Sequence, residues 1–279
     1  MGAVTLEKIG RVALITFNQA KKLNSMSEDI ANGFSNIVDL ICSNPFEYGC
    51  VVITGRGRAF SAGGDLDWLR SRGTDTPTRN EQIMSSFYQK FLKVRQIPLP
   101  VIAAINGAAI GAGLCFAMAC DIRIASKQAK LGFTFVSLGL HPGMGATHLV
   151  ASVAGYEIAY KVLLSGEIYT GAEAKEMHLV SATAPDGPST VKMAMRLANT
   201  IASQGSAAVQ ATVRSLRQKQ DEGLNQALLR EADAQACGYS TPDFMEGIDA
   251  VASKRKPKFT MHESGKEDHI RHSQPRPKM

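Results

Sequence analysis

The sequence predicts an α/β core followed by a helical C-terminal region. Three observations predict it. Runs of strand length rich in Val, Ile and Ala recur: "VTLEKIG", "RVALITF", "GCVVITG", "VIAAI" and "DIRIAS". Several lead through a turn of small or polar residues into a helical pattern, so strand–turn–helix units repeat without a strict sequence repeat. From Thr147 onward the patterns are almost all helical. The expected organisation is a core over 1–190, a helical region over 191–261 and a polar, Pro-containing, disordered tail over 262–279.

The elements follow in order. "VTLEKIG" and "RVALITF" alternate and meet at Gly10, which predicts a hairpin. "NQAKKLNS" is a loop, and Ser27 is an N-cap for a helix running to about Cys42. "GCVVITG" is a buried strand. "RGRAFSAGGD" is a loop that opens a short helix over 66–70, and the polar stretch 71–78 is a mobile loop. The next helix reaches about Gln96, where Pro98 and Pro100 end it. "VIAAI" is a strand, then come a Gly-rich turn and an apolar helix. "DIRIAS" is a strand. "KLGFTFVSLGLHPGMG" is a short strand, an irregular loop and a second Gly-rich turn. Helices are expected over 145–153, 155–165, 171–177, 188–203, 206–220, 223–238 and 242–253, with "LVSATAP" a brief strand among them.

Composition narrows the function. The chain has 279 residues, 44% apolar and 20% charged, as a soluble globular protein does. No uninterrupted apolar run reaches the ~20 residues of a membrane span. The net charge of +6 does not mark a nucleic-acid face. From Lys254 to the end there are eight Lys/Arg against three Asp/Glu, so five of the six charges belong to the C-terminal segment. Five cysteines lack metal-type spacing and read as buried, reduced thiols. The first strand begins too early for a signal or transit peptide, which predicts a cytoplasmic protein.

Two loops share one design. "FSAGGDL" (60–66) and "NGAAIGAGL" (106–114) each follow a buried strand and place small residues where a helix begins. Small residues admit a ligand close to the backbone, and helix starts carry free N–H groups at a positive dipole end. Two such groups converging on one oxygen form an oxyanion hole. Tight turns needed for packing are the plain alternative. "GAAIGAG" lacks the spacing and acidic partner of a dinucleotide fingerprint, and no phosphate-binding P-loop is present.

The motifs "KLNSMS" (22–27), "VVITGRGRAFSAGGDL" (51–66), "PVIAAINGAAIGAGLCFAMACDIRIAS" (100–126), "LGLHPGMGATHLV" (138–150), "LLSGEIYTGAEAKEMHLV" (163–180) and "EGIDAVASKRKPKF" (246–259) occur in this order. Over about 1–260 the chain resembles the crotonase superfamily, also called the enoyl-CoA hydratase/isomerase family. The resemblance implies a spiral of ββα units with a C-terminal helical trimerisation region, assembled as a homotrimer or a dimer of trimers. It implies an acyl-CoA thioester as ligand, with coenzyme A part of the substrate and no separate cofactor. Carried over by position, the oxyanion-hole N–H groups are those of Ala62 and Ala112. Ala62, Gly63, Gly64, Asp65 and Leu66 line the ligand, Lys22 and Leu23 meet the nucleotide end, and Lys254, commonly from an adjoining subunit, approaches the phosphates.

The sequence departs from the family where side chains do chemistry. The two hydratase glutamates align with Cys115 and Phe135, and a third carboxylate position, used by some branches, aligns with Gly143. Adding water to a double bond needs a base and an acid, and Phe135 is neither. His141 is the best candidate for a substitute, because its ordinary pKa of about 6.5 suits proton transfer; a hydrogen-bonded structural histidine before Pro142 is the plainer reading. Cys115 has apolar flanks and reads as packing. Asp67, beside Trp68 at the start of the pocket-shaping helix, is a weaker candidate base. His148 reads as structural. His262, His269 and His272 lack ligand spacing, so no metal is expected. The expected function is an atypical or weak hydratase or isomerase, with a silent acyl-CoA-binding protein or a decarboxylase as alternatives.

Overall fold

The computed structural model describes residues 2–260. The tail expected over 262–279, with its three histidines, lies outside the described residues. β1 (Val4–Ile9) and β2 (Val12–Phe17) form the expected antiparallel hairpin, closed at Gly10 with a left-handed φ of 60°. After a 3-10 turn at Ala20–Lys22 comes α1 (Glu28–Ser43), capped by the Ser27 hydroxyl, which accepts from the Ile30 N–H. There follow β3 (Cys50–Gly55), β4 (Ala59–Ser61), α2 (Leu66–Arg72), α3 (Pro77–Leu92), β5 (Val101–Ile105), β6 (Ala108–Ile110), α4 (Ala112–Ala119), β7 (Ile122–Ser126) and β8 (Lys130–Gly132). The rest is α5 (Ala146–Ala154), α6 (Tyr156–Ser165), β9 (Ile168–Thr170), α7 (Gly171–Glu176), β10 (Ala182–Ala184), α8 (Gly187–Ala202), α9 (Ser206–Gln220), α10 (Leu224–Gly238) and α11 (Pro242–Ala252).

Two sheets organise these elements. The larger has the order β1-β2-β3-β5-β7-β10 and is parallel apart from the hairpin. The smaller has the order β4-β6-β8-β9, with β8 and β9 antiparallel. Of its strands only β8 was expected. β4, β6 and β9 have three residues each, too few to show a period of two, and they fall in stretches read as loop, turn and helix boundary. The loop expected over 71–78 is also shorter. α2 runs on to Arg72, and Thr76 caps α3 with Pro77 in its first turn.

The larger sheet is covered on both faces. On one face Ala194, Ala198 and Ala202, spaced four apart on α8, lie against Val12, Cys50, Val52, Ile102, Ala104 and Ile124. The small side chains let the helix sit close: a Cβ added at Gly49 would come within 2.7 Å of the Ala202 backbone. α8 therefore belongs to the core layer, and the boundary expected at 190 falls inside it.

The other face carries the main core. Phe116 on α4 stands at its centre, with ring centroids 5.3 Å from Phe17, 5.2 Å from Phe34, 6.2 Å from Phe60 and 6.3 Å from Phe91. Edge-on and tilted pairs of this kind add to the burial of each ring. One side chain thus ties β2, β4, α1, α3 and α4 together. Phe116→Ala removes it and leaves a cavity at that junction. It should lower unfolding free energy by about 3–5 kcal/mol in denaturant titration. Phe46→Ala, at an exposed position, should stay within about 0.5 kcal/mol of wild type.

Candidate active site

A cavity of about 720 Å³ opens beside the two small-residue loops and is walled by α2, α3, the 134–144 segment and the C-terminal helices. Gln235 of α10, Tyr239 just after it and Val251 of α11 all line it. The helical region expected for assembly thus also closes a pocket within its own chain.

The floor depends on two glycines. Gly63 has φ 84°, and a Cβ there would lie 2.5 Å from the Ile110 carbonyl oxygen. A Cβ at Gly113 would lie 2.5 Å from the Ser61 carbonyl oxygen. The 60–66 and 106–114 loops therefore touch backbone to backbone, which only glycine permits at these points. Around this contact the amides separate into used and unused. The Ala62 N–H donates to the Leu23 carbonyl at 3.0 Å, and the Gly63 N–H donates to Ser61 Oγ at 3.2 Å. Ala112 is the first residue of α4, where an N–H has no intrahelical acceptor. Among the described residues, neither the Gly64 N–H nor the Ala112 N–H donates to another protein group.

The expected ligand residues are mostly brought together. Lys22, Ala62, Gly63, Gly64, Asp65, Leu66 and Ala112 line the cavity. Asp65 also caps α2, accepting from the Asp67 and Trp68 N–H groups at 3.1 and 3.0 Å. Two expectations need correction. The Ala62 amide is occupied by the Leu23 carbonyl, so it is no free donor. Leu23 itself is outside the cavity wall and acts through that carbonyl. Lys254, expected to act from an adjoining subunit, is exposed beyond α11 and is not among the residues lining the cavity of its own chain.

The proton-transfer candidates fare differently. His141 does not line the cavity. Its Nδ1 lies 2.6 Å from the Pro142 carbonyl oxygen, an acceptor only, so Nδ1 carries the proton. Cys115 is fully buried outside the cavity wall; burial, with the Glu231 carboxylate adding, holds its thiol well above the usual range, so no thiolate is available. Phe135 and Gly143 do line the cavity. Its lining carboxylates are Asp65, already capping α2, and Asp67, exposed at the rim. His148 Nε2 lies 2.7 Å from the Gln220 carbonyl oxygen, a structural tie as expected.

The far end is mostly apolar but carries Tyr88, Gln235 and Tyr239, which the sequence reading missed. Tyr88 on α3 donates to Gln235 Oε1 at 2.8 Å, and Gln235 Nε2 donates to the His141 carbonyl at 2.8 Å. Both side chains are 2% exposed and line the cavity. Burial pushes the Tyr88 phenol well above its usual range, so it stays protonated. Trp68 stacks on Phe87 beside this pair, with centroids 5.3 Å apart. Glu231, one turn before Gln235, accepts from the Gly145 N–H at 2.6 Å and from the Thr147 N–H and hydroxyl at 2.8 and 2.5 Å. It supplies the cap that Gly145 cannot give α5, and so fixes the segment carrying Gly143.

Comparison with known proteins places this geometry in context. The family description that matches residues 7–262 is "Enoyl-CoA hydratase/isomerase". The 2,3-dehydroadipyl-CoA hydratase of Escherichia coli (strain K12) is 31% identical, covering 93% of this chain and 99% of that one. A putative enoyl-CoA hydratase of Thermus thermophilus is 33% identical, covering 92% and 100%. A crystal structure of an enoyl-CoA hydratase from Mycobacterium avium subsp. paratuberculosis K-10 superposes with a TM-score of 0.80 at 28% identity, covering 92% and 98%.

The state of His141 gives a pH signature. Burial, with the charge of Arg230 adding, holds its pKa below 6.5, against the pull of the Pro142 carbonyl. The unfolded chain then takes the proton more readily than the folded one. Stability is full above the unfolded pKa and declines as pH falls below it. Melting temperature should fall less between about pH 7 and pH 5 in His141→Asn than in wild type.

Proposed function

The chain belongs to the enoyl-CoA hydratase/isomerase family, and on that premise we propose that its cavity holds an acyl-CoA thioester with the carbonyl oxygen between the Gly64 and Ala112 N–H groups. One observation carries the reading. Gly64 and Ala112 line the cavity and sit on loops in backbone contact, and their N–H groups have no protein acceptor among the described residues. Donors fixed in this way need no reorganisation when negative charge builds on the oxygen, so they favour an enolate over the ground-state thioester. Gly64 thus takes the role that position alone gave to Ala62. Exposed Lys22 suits the phosphates of coenzyme A, and Lys254 suits them from an adjoining subunit. Coenzyme A enters as part of the substrate, and no separate cofactor is proposed.

The proton-transfer groups set the type of activity. With Cys115 buried and Phe135 and Gly143 unable to ionise, the two-glutamate route to hydration has no counterpart here. We infer an atypical or weak hydratase or isomerase in which Asp67 is the one lining carboxylate not already capping a helix. Decarboxylation of a thioester bearing an α-carboxylate suits the same site. The C–C bond breaks, its electron pair enters the enolate held by the two amides, CO2 leaves, and the α-carbon then takes a proton. That route needs no base for the first step. A protein that binds acyl-CoA without turnover is the second reading, favoured by the same scarcity of ionisable groups.

Self-association is proposed on a surface feature. Tyr156, Tyr160 and Leu164 repeat at four-residue spacing on α6 and are 64–74% exposed. An apolar helical stripe of this length suits contact with another copy, in a trimer or a dimer of trimers. Tyr160→Glu should lower the mass measured by light scattering at equal protein concentration.

Ala112→Pro tests the amide pair. Proline is tolerated at the first position of a helix and deletes only the proposed donor. Purified protein is incubated with crotonyl-CoA, a 3-enoyl-CoA and malonyl-CoA, with the thioester spectrum and CO2 followed alongside calorimetric binding. Turnover should fall about 10²–10³-fold in the variant while melting temperature is kept. Binding with no turnover of any of the three leaves the non-catalytic reading for these substrates. Full activity in a folded Ala112→Pro protein would sink the amide assignment.

A further inference from the structure

α11 ends in a turn that glycine normally makes. Ser253 closes the helix, and Lys254 follows with a left-handed φ of 52°. The Lys254 N–H donates to the Val251 carbonyl at 3.1 Å, and the Arg255 N–H donates to the Ala250 carbonyl at 2.9 Å. These two bonds close a helix through a left-handed residue just past its end, a place that favours glycine because a side chain there is strained. Lysine is therefore held at this place against a local cost.

The chain beyond it folds back on α11. The Arg255 guanidinium forks onto the Glu246 carboxylate, Nη1 to Oε1 and Nη2 to Oε2, the second at 2.7 Å. The Lys258 N–H donates to Glu246 Oε1 at 2.6 Å, and the Thr260 N–H donates to Asp243 Oδ1 at 2.9 Å. Asp249, the remaining acid of α11, pairs with Arg70 of α2 at 2.7 Å. Each acid of α11 thus has a partner, and none is Lys254. Among the described residues the Lys254 ammonium makes no ion pair or hydrogen bond. The result is an exposed, unneutralised cation on a backbone tied down on both sides. The clamp is intact at neutral pH, since Arg255 first, and then the Lys258 N–H, hold the Glu246 pKa down to about 2.

We propose that Glu246 is a positioning residue: by clamping Arg255 and the Lys258 amide it holds Lys254 in its strained turn, and the fixed ammonium binds a phosphate of the ligand's coenzyme A. The inference rests on the acyl-CoA reading of the cavity and deepens it. It differs from a solvated run of positive charge in two ways. A solvated lysine gains nothing from the strain, so glycine would serve the fold better at 254. If charge alone mattered, removing the negative charge of Glu246 would strengthen binding of a polyanion. Positioning gives the opposite sign, because a released ammonium must be ordered again when it binds.

The test is calorimetric titration of the full chain with hexanoyl-CoA and with hexanoyl-pantetheine, which lacks the phosphates. Lys254→Gly should lower hexanoyl-CoA affinity about five-fold, the upper range of an exposed ion pair, and leave hexanoyl-pantetheine affinity unchanged. It should also raise the melting temperature by about 1–3 °C as the strain is relieved. Glu246→Gln, which keeps an acceptor for the Lys258 amide, should lower hexanoyl-CoA affinity about two-fold. Lys256→Ala loses the same charge as Lys254→Gly and should leave the affinity as it is. Unchanged or tighter hexanoyl-CoA binding in Glu246→Gln overturns the inference. So does a loss shared equally by Lys256→Ala, or a Lys254→Gly protein that melts lower than wild type. Failure of both esters to bind wild type overturns the acyl-CoA reading and this inference with it.

Discussion

The backbone contact between the 60–66 and 106–114 loops is the constraint on which the site depends. It needs glycine on both sides, because a Cβ at Gly63 or Gly113 would fall 2.5 Å from a carbonyl oxygen of the opposing loop. The smaller sheet holds the contact in place, since β4 and β6 lead directly into these loops and pair in parallel. Phe116 then pins α4, and with it Ala112, to four other phenylalanines. Asp65 fixes the opening of α2 on the other side. The unused amides are thus held by the core itself, the condition under which a backbone donor can work without reorganising.

Legibility in the sequence followed length and locality. α1 behind Ser27 has its start written in adjacent residues, whereas the Thr76–Pro77 start of α3, equally local, fell inside the stretch read as a loop over 71–78. The hairpin and β3, β5 and β7 carry enough apolar residues to be read as strands. The three-residue strands of the smaller sheet do not, because their pairing is set by the neighbouring chain. The site divides in the same way. Its small-residue loops are local and visible. Which of their amides is free depends on the Leu23 carbonyl, 39 positions before Ala62. His141 looked suited to proton transfer by type and place, but its ring is tied to the Pro142 carbonyl outside the cavity. Tyr88 and Gln235 lie on separate helices, 147 positions apart, and no local pattern joins them. Gly143 was the available clue, since a glycine in an irregular segment asks what presses against it.

The inner end of the cavity is more ordered than its apolar lining suggests. Glu231 and Gln235 sit one turn apart on α10, and both reach into the 141–147 segment. Glu231 gathers three donors at the start of α5, while Gln235 holds the His141 carbonyl and the Tyr88 hydroxyl. Burial favours the neutral form of Glu231, and the donors pull the other way. One helix therefore sets both the backbone path past Gly143 and the polarity of the Tyr88–Gln235 pair behind it. That dependence explains why the C-terminal helices matter to the pocket of the chain that carries them, apart from any part in assembly.

A site of this composition suits some reactions better than others. Backbone amides lower the energy of an oxyanion whatever reaction forms it, so the proposed Gly64–Ala112 pair does not by itself select one. Selection comes from the groups that deliver or remove a proton. A buried thiol held well above its ordinary pKa, a neutral phenol whose proton faces Gln235, and a ring sequestered against Pro142 leave the inner cavity with no base among the described residues. Asp67 remains at the rim, where water competes for it. Chemistry that begins by abstracting a proton deep in the pocket is therefore disfavoured relative to chemistry that forms the enolate by losing a group. Holding the thioester without reacting it needs less still. Either course rests on the proposed amide pair and the shape of the inner wall rather than on a buried side-chain base.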